Sequence, residues 1–343
     1  MVSFARPVYT KSRIQAAGKR IVKGNATLED TLVLENFRAA HAYIINTFQM
    51  NARRHASSVT HTVGQRLKRR NTIIDKLRRE PSMPLHSMQD IAGCRIICGS
   101  QTDLYRVRTS LRNARFHHVR LNDVERYDYI LHPKPTGYRG VHDVYEYRVQ
   151  KEPSSNWNGL RIEIQFRTQI QHAWATAVEV ADLITSSRIK FNDAKSNYLE
   201  YFQLSSEVLA RAHENQNSCC SEYSNEELVW RFKKLEDSLG LLKALDNLRG
   251  TRNRKITFRR NTLLIFRFNV EDEQEKLEVK TFETVSRAIE EYDRLEKTMG
   301  DSADVVFVRG ESEESIRDAF RNYFSDARAF VDLVNSGIAI LQK

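Results

Sequence analysis

The run LRIEIQFRT at residues 160–168 constrains the fold more than any other stretch of this sequence. Apolar and polar residues alternate along it, and this period of two places the two kinds on opposite faces of a β-strand. The polar face would carry Arg161, Glu163, Gln165 and Arg167. A carboxylate among arginines is costly in a dry core and suits the floor of a wet cleft. The run therefore predicts a strand whose polar face lines a cleft or, in the commoner use of this pattern, simply meets solvent.

The neighbouring segments predict a mixed sheet flanked by helices. Predicted strands lie at 94–99, 116–121, 141–149 and 160–166, and predicted helices lie at 103–114 and from Gln169 onward. A polar loop, QKEPSSNWNG, separates the last two strands and favours an antiparallel pair. We therefore expect an α/β fold over residues 61–190, preceded by a helical segment over residues 1–60 with a helix start near Asn25.

The second half of the chain predicts a helical connector and a further small unit. Residues 191–250 are mostly helical in pattern and end in the polar, basic stretch NLRGTRNRK. Residues 251–343 combine three strand-like runs with two helix-like ones. The strand-like runs are TLLIFRF, KLEVKTF and ADVVFVRG, and the helix-like runs are VSRAIEEYDRLEKTM and SEESIRDAFRNYFSDARAFVDLV. This pattern predicts a small α/β unit at the C-terminal end.

The charge of the chain is unevenly distributed. Residues 51–190 carry 24 Lys and Arg against 13 Asp and Glu, whereas residues 191–343 carry 23 against 28. A basic excess around the polar strand favours polyanions, either nucleoside polyphosphates or nucleic acid. The alternative is a soluble domain that simply happens to be basic.

Composition excludes several other classes of protein. No stretch approaches the roughly 18 apolar residues that a membrane-spanning helix needs. The N-terminus, MVSFARPVYTKSR, lacks the apolar core of a signal peptide. The four cysteines do not form two separated CxxC pairs, so neither a zinc site nor a disulfide framework is expected. We therefore expect a cytoplasmic protein that does not enter a membrane.

Two segments carry candidate residues for binding an anion and a metal. In the first, a helix that starts near Thr72 would point backbone N–H groups at an anion, with Arg66, Lys68 and Lys76 around it. A solvated basic face is the alternative. In the second, Asp90 stands just before a buried strand, where a carboxylate suits Mg²⁺. An ordinary capping aspartate at a turn is the alternative there.

Two further segments carry candidates for binding a nucleotide base and for proton transfer. In the run PKPTGYRGVH, Lys134 can neutralise phosphate, Tyr138 offers a ring for stacking, and His142 follows four residues later. An ordinary hairpin turn is the alternative. On the polar strand, Glu163 is a candidate second Mg²⁺ ligand or a base that activates a hydroxyl.

Taken together, these segments resemble the synthetase domain of the RelA/SpoT alarmone synthetases. The resemblance rests on R-x-K-x-x-x-[ST]-I-x-x-K at 66–76, D-I-x-G-x-R-I at 90–96, D-Y-I-x-x-P-K-x-x-G-Y-R-x-x-H at 128–142 and E-I-Q-x-R-T at 163–168, followed by His172 and Trp174. The order and spacing of the motifs match the family over about residues 60–180.

The resemblance implies a fold, an activity and roles for residues. The fold would be the family's nucleotidyltransferase-like mixed sheet flanked by helices. The activity would be transfer of the β,γ-pyrophosphate of ATP to the 3′-hydroxyl of GDP or GTP, which gives (p)ppGpp and AMP. Asp90 and Glu163 would be the catalytic residues and would hold Mg²⁺. Arg66 would stack on adenine, and the rest of the ATP side would be Lys68, Thr72, Lys76 and Arg95. Tyr138 would stack on the acceptor base, with Lys134, Arg139, His142, Gln165 and Arg167 around the acceptor.

Departures from the family pattern leave the acceptor open. Gly140 stands where the family usually has Ser, and Thr72 replaces the usual Ser. After Trp174 the family commonly has a Glu-His or Ala-His pair, whereas residues 176–182 read TAVEVAD and contain no His. The alternatives to a guanosine nucleotide are the 3′ end of tRNA, as in toxin-type relatives, and an adenosine nucleotide. No segment matches the hydrolase domain of long family members, so we expect synthesis without degradation. A homo-oligomer and an antitoxin partner are both compatible with the sequence, and the acidic C-terminal unit could dock on the basic half as an inhibitory or sensing module.

Overall fold

A five-stranded mixed sheet forms the centre of the first half of the chain. The computed structural model describes residues 4–185, 196–247, 261–267, 277–299, 303–309 and 327–343. The strands of this sheet are β1 (His61–Leu67), β2 (Ala92–Cys98), β3 (Val119–Arg120), β4 (Val141–Glu146) and β5 (Arg161–Thr168). Their order is β1-β2-β5-β4-β3, with β2 and β5 parallel and the other pairs antiparallel. The predicted mixed sheet and the antiparallel pair β4–β5 are both confirmed.

Helices cover this sheet and continue the chain beyond it. They are α1 (Lys11–Val22), α2 (Leu28–Ala56), α3 (Arg70–Arg79), α4 (Gln101–Arg112), α5 (Gln169–Thr185), α6 (Ser196–Glu214), α7 (Asn225–Leu239) and α8 (Leu241–Asn247). None of the described helices is both long and apolar enough to cross a membrane.

The long helix α2 begins where the sequence predicts a helix start. Thr27 caps it, because its side chain accepts from the backbone N–H of Asp30 and the Asp30 side chain accepts from the backbone of Thr27. Asp30 is fully buried and also binds Arg13 and Arg20 of α1. Phe37, Ile44 and Phe48 of α2 then pack into the same core as the five-stranded sheet. The capping network therefore joins α1 to α2, and the apolar residues of α2 hold the pair on that sheet.

Helix α5 begins at the end of β5 and leads into a second core. Gln171 donates its backbone N–H to the Thr168 hydroxyl, and the Thr168 backbone N–H donates to the Gln171 side chain. This reciprocal cap turns the chain from strand to helix at one residue. Trp174 of α5 packs with Phe202 of α6 in an apolar cluster that also includes residues of α7 and α8.

The C-terminal strands form a separate three-stranded sheet. They are β6 (Asn261–Arg267), β7 (Leu277–Phe282) and β8 (Ala303–Arg309), in the order β7-β6-β8, with α9 (Val285–Met299) between β7 and β8. Leu263, Ile265 and Tyr292 join the core of the first sheet, and the Arg38 guanidinium of α2 lies 4.8 Å from the centre of the Tyr292 ring. The small sheet therefore packs against the N-terminal half.

In the part of the chain that the structure describes, the last helix packs mainly with helices and not with the strands that precede it. Helix α10 (Arg328–Leu341) contributes Phe330, Val331 and Val334 to the α5–α6 cluster. Of the long helix predicted over 312–334, residues 312–326 lie outside the described residues. The predicted boundaries at residues 60, 190 and 250 stay predictions, and α10 packs in the apolar cluster of α5 and α6.

The contact between α10 and α6 generates a stability prediction. A Cβ at Gly337 would lie 3.0 Å from Val208 Cγ1 and 3.3 Å from His213 Nε2. We expect Gly337→Leu to lower the free energy of unfolding by about 1–3 kcal/mol, because the added side chain overpacks this contact. Urea unfolding monitored by circular dichroism would measure the change. Asn335→Leu adds a leucine at an exposed position of the same helix and is the control, so equal losses in both variants would contradict close packing at Gly337.

Candidate active site

The site lies along the polar face of β5, where the ends of several elements meet. Glu163 of β5 is paired with Gly93 of β2 on one side and with Val144 of β4 on the other. His142 of β4 is paired with Gln165. Asp90 lies two residues before β2 begins, and its pKa is sensitive to the charge of Glu163. The sheet therefore brings carboxylates from two distant motifs to one surface.

Asp90 is held between two lysines. Lys68 Nζ donates to Asp90 Oδ2 over 2.5 Å, and Lys76 Nζ donates to Asp90 Oδ1 over 3.0 Å. Burial alone would raise the pKa of Asp90, but Lys68 and Lys76 outweigh it and hold that pKa below its ordinary value. Burial lowers the pKa of Lys68, although Asp90 opposes this. A desolvated carboxylate with two cations is thus present on the side predicted to bind ATP.

The backbone fixes the position of Lys68. Its N–H donates to the carbonyl of Ile91 over 2.8 Å, which extends the β1–β2 pairing by one residue. Its carbonyl accepts from Arg38 Nε over 2.7 Å. Helix α3 begins two residues later at Arg70, slightly before the predicted start at Thr72, so Thr72 lies in its first turn.

A hydrogen-bonded chain connects Glu163 to Arg167. Glu163 Oε1 lies 3.0 Å from His142 Nδ1, and His142 Nε2 lies 2.6 Å from the Tyr138 hydroxyl. Arg167 donates to that hydroxyl over 3.1 Å, and Gln165 donates to Glu163 Oε2 over 2.7 Å. Four of the residues predicted for the acceptor side are therefore brought together with the predicted catalytic glutamate.

Mutual charge stabilisation sets the protonation of this chain. Burial opposes the charged form of each group, but Tyr138 and Glu163 raise the pKa of His142 to about 9. Arg167 and His142 lower the pKa of Tyr138 to about 7, against the effect of burial. Burial also disfavours ionised Glu163, yet His142 and Gln165 keep the pKa of Glu163 well below its ordinary value. At neutral pH Glu163 is thus an ionised carboxylate beside a protonated imidazole.

Aromatic rings and cations surround the Tyr138 side chain. Lys134 Nζ lies 4.3 Å from the centre of the Tyr129 ring and 5.3 Å from that of Tyr138. The Arg167 guanidinium lies 5.1 Å from the Tyr138 ring centre. Tyr129 makes edge contacts with the rings of both Tyr138 and His142. Tyr129 is thus a site residue that the sequence reasoning missed, although it stands in the D-Y-I motif.

Three predicted arginines lie near these residues, two of them on neighbouring strands and one turned away. Arg66 of β1 is paired with Gly93, next to the strand position of Glu163. Arg95 is paired with Gln165, and burial and then Arg167 lower the pKa of Arg95 to about 10. Arg139 points elsewhere, because its guanidinium is buried in an ion pair with Glu214 of α6. Direct contact between Arg139 and an acceptor would require this ion pair to break.

The glycine that departs from the family pattern has a structural reason. Gly140 adopts a φ of +152°, which disfavours residues with a side chain. A Cβ there would lie 3.2 Å from the Tyr138 hydroxyl oxygen and 3.3 Å from Arg167 Cγ. Gly140 therefore leaves room for the Tyr138 hydroxyl and the Arg167 side chain beside the backbone just before β4.

The donor set fits a hard divalent cation in part. Among the described residues no cluster of three or more His, Cys, Asp or Glu could hold a metal ion by itself. Asp90 and Glu163 are nevertheless two ionised carboxylates on one surface. Mg²⁺ often binds through one or two carboxylates together with substrate phosphate oxygens, so these two residues suit a metal that arrives with a nucleotide.

In comparisons with known proteins, the family match covers the part of the chain that carries the site residues described above. Residues 65–183 match the family described as "Region found in RelA / SpoT proteins". GTP pyrophosphokinase YjbM of Bacillus subtilis is 39% identical over 114 residues, which cover 32% of this chain and 51% of that protein. GTP pyrophosphokinase YwaC of the same organism is 36% identical over 117 residues, which cover 32% of this chain and 52% of that protein. The chain thus spans about half the length of these curated relatives.

A solved structure is also similar. The crystal structure of small alarmone synthetase 1 from Bacillus subtilis, bound to its product pppGpp, has a TM-score of 0.45 at 26% sequence identity. The similarity covers 53% of this chain and 93% of that structure.

Loss of the glycine at 140 is expected to disturb the site locally. We expect Gly140→Ala to lower the free energy of unfolding by about 1–3 kcal/mol, because it combines an unfavourable φ with contacts to Tyr138 and Arg167. Thermal unfolding would measure the loss. Gly99→Ala is the control, because a Cβ at this exposed glycine meets no atom within 4 Å. Equal stability of the two variants would show that position 140 tolerates a side chain.

The raised pKa of His142 gives a prediction about pH. Because this pKa exceeds the ordinary value of 6.5, protonated His142 stabilises the folded state fully below about pH 6.5, and that stabilisation is lost as the pH rises through about 9. In Glu163→Gln we expect the pKa of His142 to fall towards 6.5, because an anion that favours the imidazolium is gone. NMR titration of the histidine ring protons would measure it, and an unchanged pKa would contradict the pairing.

Proposed function

We propose, from the match of residues 65–183 to the family found in RelA / SpoT proteins, that this protein transfers the β,γ-pyrophosphate of ATP to the 3′-hydroxyl of a guanosine nucleotide. The observation that carries the proposal is the arrangement of two ionised carboxylates on one polar surface. Asp90 is bound by two lysines, and Glu163 is bound by the His142–Tyr138–Arg167 chain. The names of the matched relatives, both GTP pyrophosphokinases, support the same activity.

The cations beside Asp90 suit the donor nucleotide. Phosphoryl and pyrophosphoryl transfer depends mainly on positioning and on neutralising the charge of the phosphate oxygens. Lys68 and Lys76 supply two cations that Asp90 already orients. Thr72 lies in the first turn of α3, where backbone N–H groups favour anions. Arg66 and Arg95 add positive charge on the neighbouring strands, and Arg66 is the candidate for stacking on adenine.

The rings and cations beside Glu163 suit an acceptor nucleotide. Tyr138 would stack on the base, and Lys134 and Arg167 would approach phosphate oxygens. Gln165 and His142 already orient the Glu163 carboxylate. An ionised carboxylate with a low pKa is a weak base, since efficient general bases have a pKa near the working pH. Glu163 would therefore act mainly by accepting a hydrogen bond from the 3′-hydroxyl and by orienting its oxygen towards the donor phosphate.

A divalent cation is part of this proposal. Asp90 and Glu163 are the residues that would hold Mg²⁺. The ion, when bound, supplies neutralisation of the negative charge on the phosphate oxygens of ATP.

A second acceptor class is favoured by the charge of the chain. Residues 51–190 carry an excess of Lys and Arg over Asp and Glu, and such an excess also attracts RNA backbones. Transfer to the 3′ end of tRNA is therefore the second candidate function.

One experiment separates these activities. Purified protein is given Mg²⁺ and ATP labelled at the γ position, together with GDP, GTP, an adenosine nucleotide or deacylated tRNA, each in a separate reaction. We expect label on the guanosine nucleotides. Label on tRNA alone would replace the first candidate with the second, and label on none of the acceptors would reject pyrophosphate transfer.

The role of Glu163 leads to a specific prediction for activity. We expect Glu163→Gln to lower the transfer rate by about 100-fold or more while ATP affinity stays within about twofold, because the lost charge serves the acceptor hydroxyl. Single-turnover kinetics and equilibrium binding of ATP would measure the two effects. Glu125→Gln, the same change at an exposed loop position, is the control, and full activity of Glu163→Gln would reject the mechanism.

The Tyr138 ring and its hydroxyl can be separated by two variants. We expect Tyr138→Ala to raise the KM for the acceptor about tenfold, because base stacking contributes roughly 1–3 kcal/mol. Tyr138→Phe keeps the ring and should keep that KM within about threefold. Steady-state kinetics with either substrate varied would measure both. Equal effects of Tyr138→Ala on ATP and on the acceptor would argue against stacking on the acceptor.

A further inference from the structure

We propose that helix α6 and the residues just after it form the back wall of the acceptor site, with Glu214 as its main positioning residue. The inference rests on the proposed function for the identity of that site. The wall lies outside residues 65–183, the segment that carries the family match. It gives a role to a part of the chain that carries none of the family's motifs.

Glu214 joins three separate pieces of the domain. Its carboxylate accepts from the Arg139 guanidinium, from the Thr168 hydroxyl over 2.7 Å and from Gln171 Nε2 over 3.1 Å. Arg139 belongs to the turn before β4, Thr168 ends β5, and Gln171 lies in the first turn of α5. One carboxylate therefore fixes the turn over residues 134–139, called the acceptor turn below, to the strand that carries Glu163.

This ion pair is buried, so it sets geometry more than it adds net stability. The side chains of Arg139 and Glu214 are 3% and 4% exposed. A buried pair gains little net free energy because both charges are desolvated, but removing one partner leaves the other uncompensated. The turn is therefore held in one position, because moving Arg139 away from Glu214 would leave a buried charge without its partner.

The anchoring of Arg139 also constrains the backbone that carries the neighbouring Tyr138. Arg139 turns towards α6, whereas Tyr138 turns towards His142 and Arg167. Anchoring Arg139 in the wall thus orients the neighbouring ring that would stack on the acceptor base.

Two more side chains of α6 donate hydrogen bonds to the same turn. Ser206 donates its hydroxyl to the carbonyl of Gly137 over 2.6 Å, and Gln203 Nε2 donates to the carbonyl of Pro135 over 2.7 Å. A Cβ at Gly137, whose φ is +87°, would lie 2.9 Å from Ser206 Cβ. The turn that carries Lys134 and Tyr138 is therefore pressed directly against the helix.

The wall is supported in turn by the last helix of the chain. His213 Nε2 contacts the carbonyl of Leu333 at 2.8 Å, and Gly337 allows α10 to approach Val208 closely. Glu207 is fully buried and accepts from the backbone N–H groups of Ser218 and Cys220. Helix α6 and the residues that follow it are thus fixed from behind.

The kinetic test compares Glu214→Gln, Ser206→Ala and the exposed control Glu222→Gln. We expect Glu214→Gln to raise the KM for the acceptor about tenfold or more, since small displacements of positioning groups have large effects. The KM for ATP should stay within about twofold. Ser206→Ala should give the same pattern more weakly and keeps the inference testable if Glu214→Gln does not fold. Equal losses for both substrates, or no loss in either variant, would overturn the inference.

A second measurement does not depend on activity. In Glu214→Gln, amide hydrogen exchange should be faster than in the wild-type protein at Lys134 and Gly137, whose N–H groups donate within the turn. Exchange in β1 and α3 should stay unchanged. Wild-type protein that transfers pyrophosphate to no acceptor would reject the proposed function alone, and hydrogen exchange would still decide the role of the wall. Unchanged exchange at the turn in Glu214→Gln would reject the wall whatever the activity.

Discussion

The parallel pairing of β2 with β5 is the constraint on which the site depends. It sets Gly93 beside Glu163 and Arg95 beside Gln165. Because Asp90 leads directly into β2, the same pairing brings its carboxylate to the polar face of β5. A shift of one residue in this register would turn Glu163, Gln165 and Arg167 into the apolar core. The buried residues Ile162, Ile164 and Phe166 on the other face prevent such a shift.

Charge balance is the second property of the site. Each carboxylate is held by cations or hydrogen-bond donors that favour its ionised form, Asp90 by Lys68 and Lys76 and Glu163 by His142 and Gln165. Without these partners, burial would favour the neutral acids. The arrangement keeps two negative groups close together on one surface, which is what binding of a hard cation with a polyphosphate demands.

Much of this organisation could be predicted from the sequence because it follows from local patterns. The alternation at 160–168, the cap before α2 and the helix after Gln169 each depend on neighbouring residues, and all three are present. Strand β1 was not predicted, because Gln65 occupies a buried position between Val63 and Leu67 and hides the alternation. The contact of Arg139 with Glu214 could not be predicted either. It joins positions 75 residues apart, and neither residue reveals its partner by its spacing. The packing of α10 on α6, away from the strands just before it, is equally non-local.

Because the last helix packs against α6, the order in which the chain is synthesised matters. Domains fold as they emerge from the ribosome, starting at the N-terminus. The five-stranded sheet and the polar face of β5 can form early, but α10 follows every other described element. The support behind α6 is complete only after α10 has been made. A nascent chain would therefore display its carboxylates and lysines before the acceptor turn is firmly held, because the support behind α6 is added only once α10 has been synthesised.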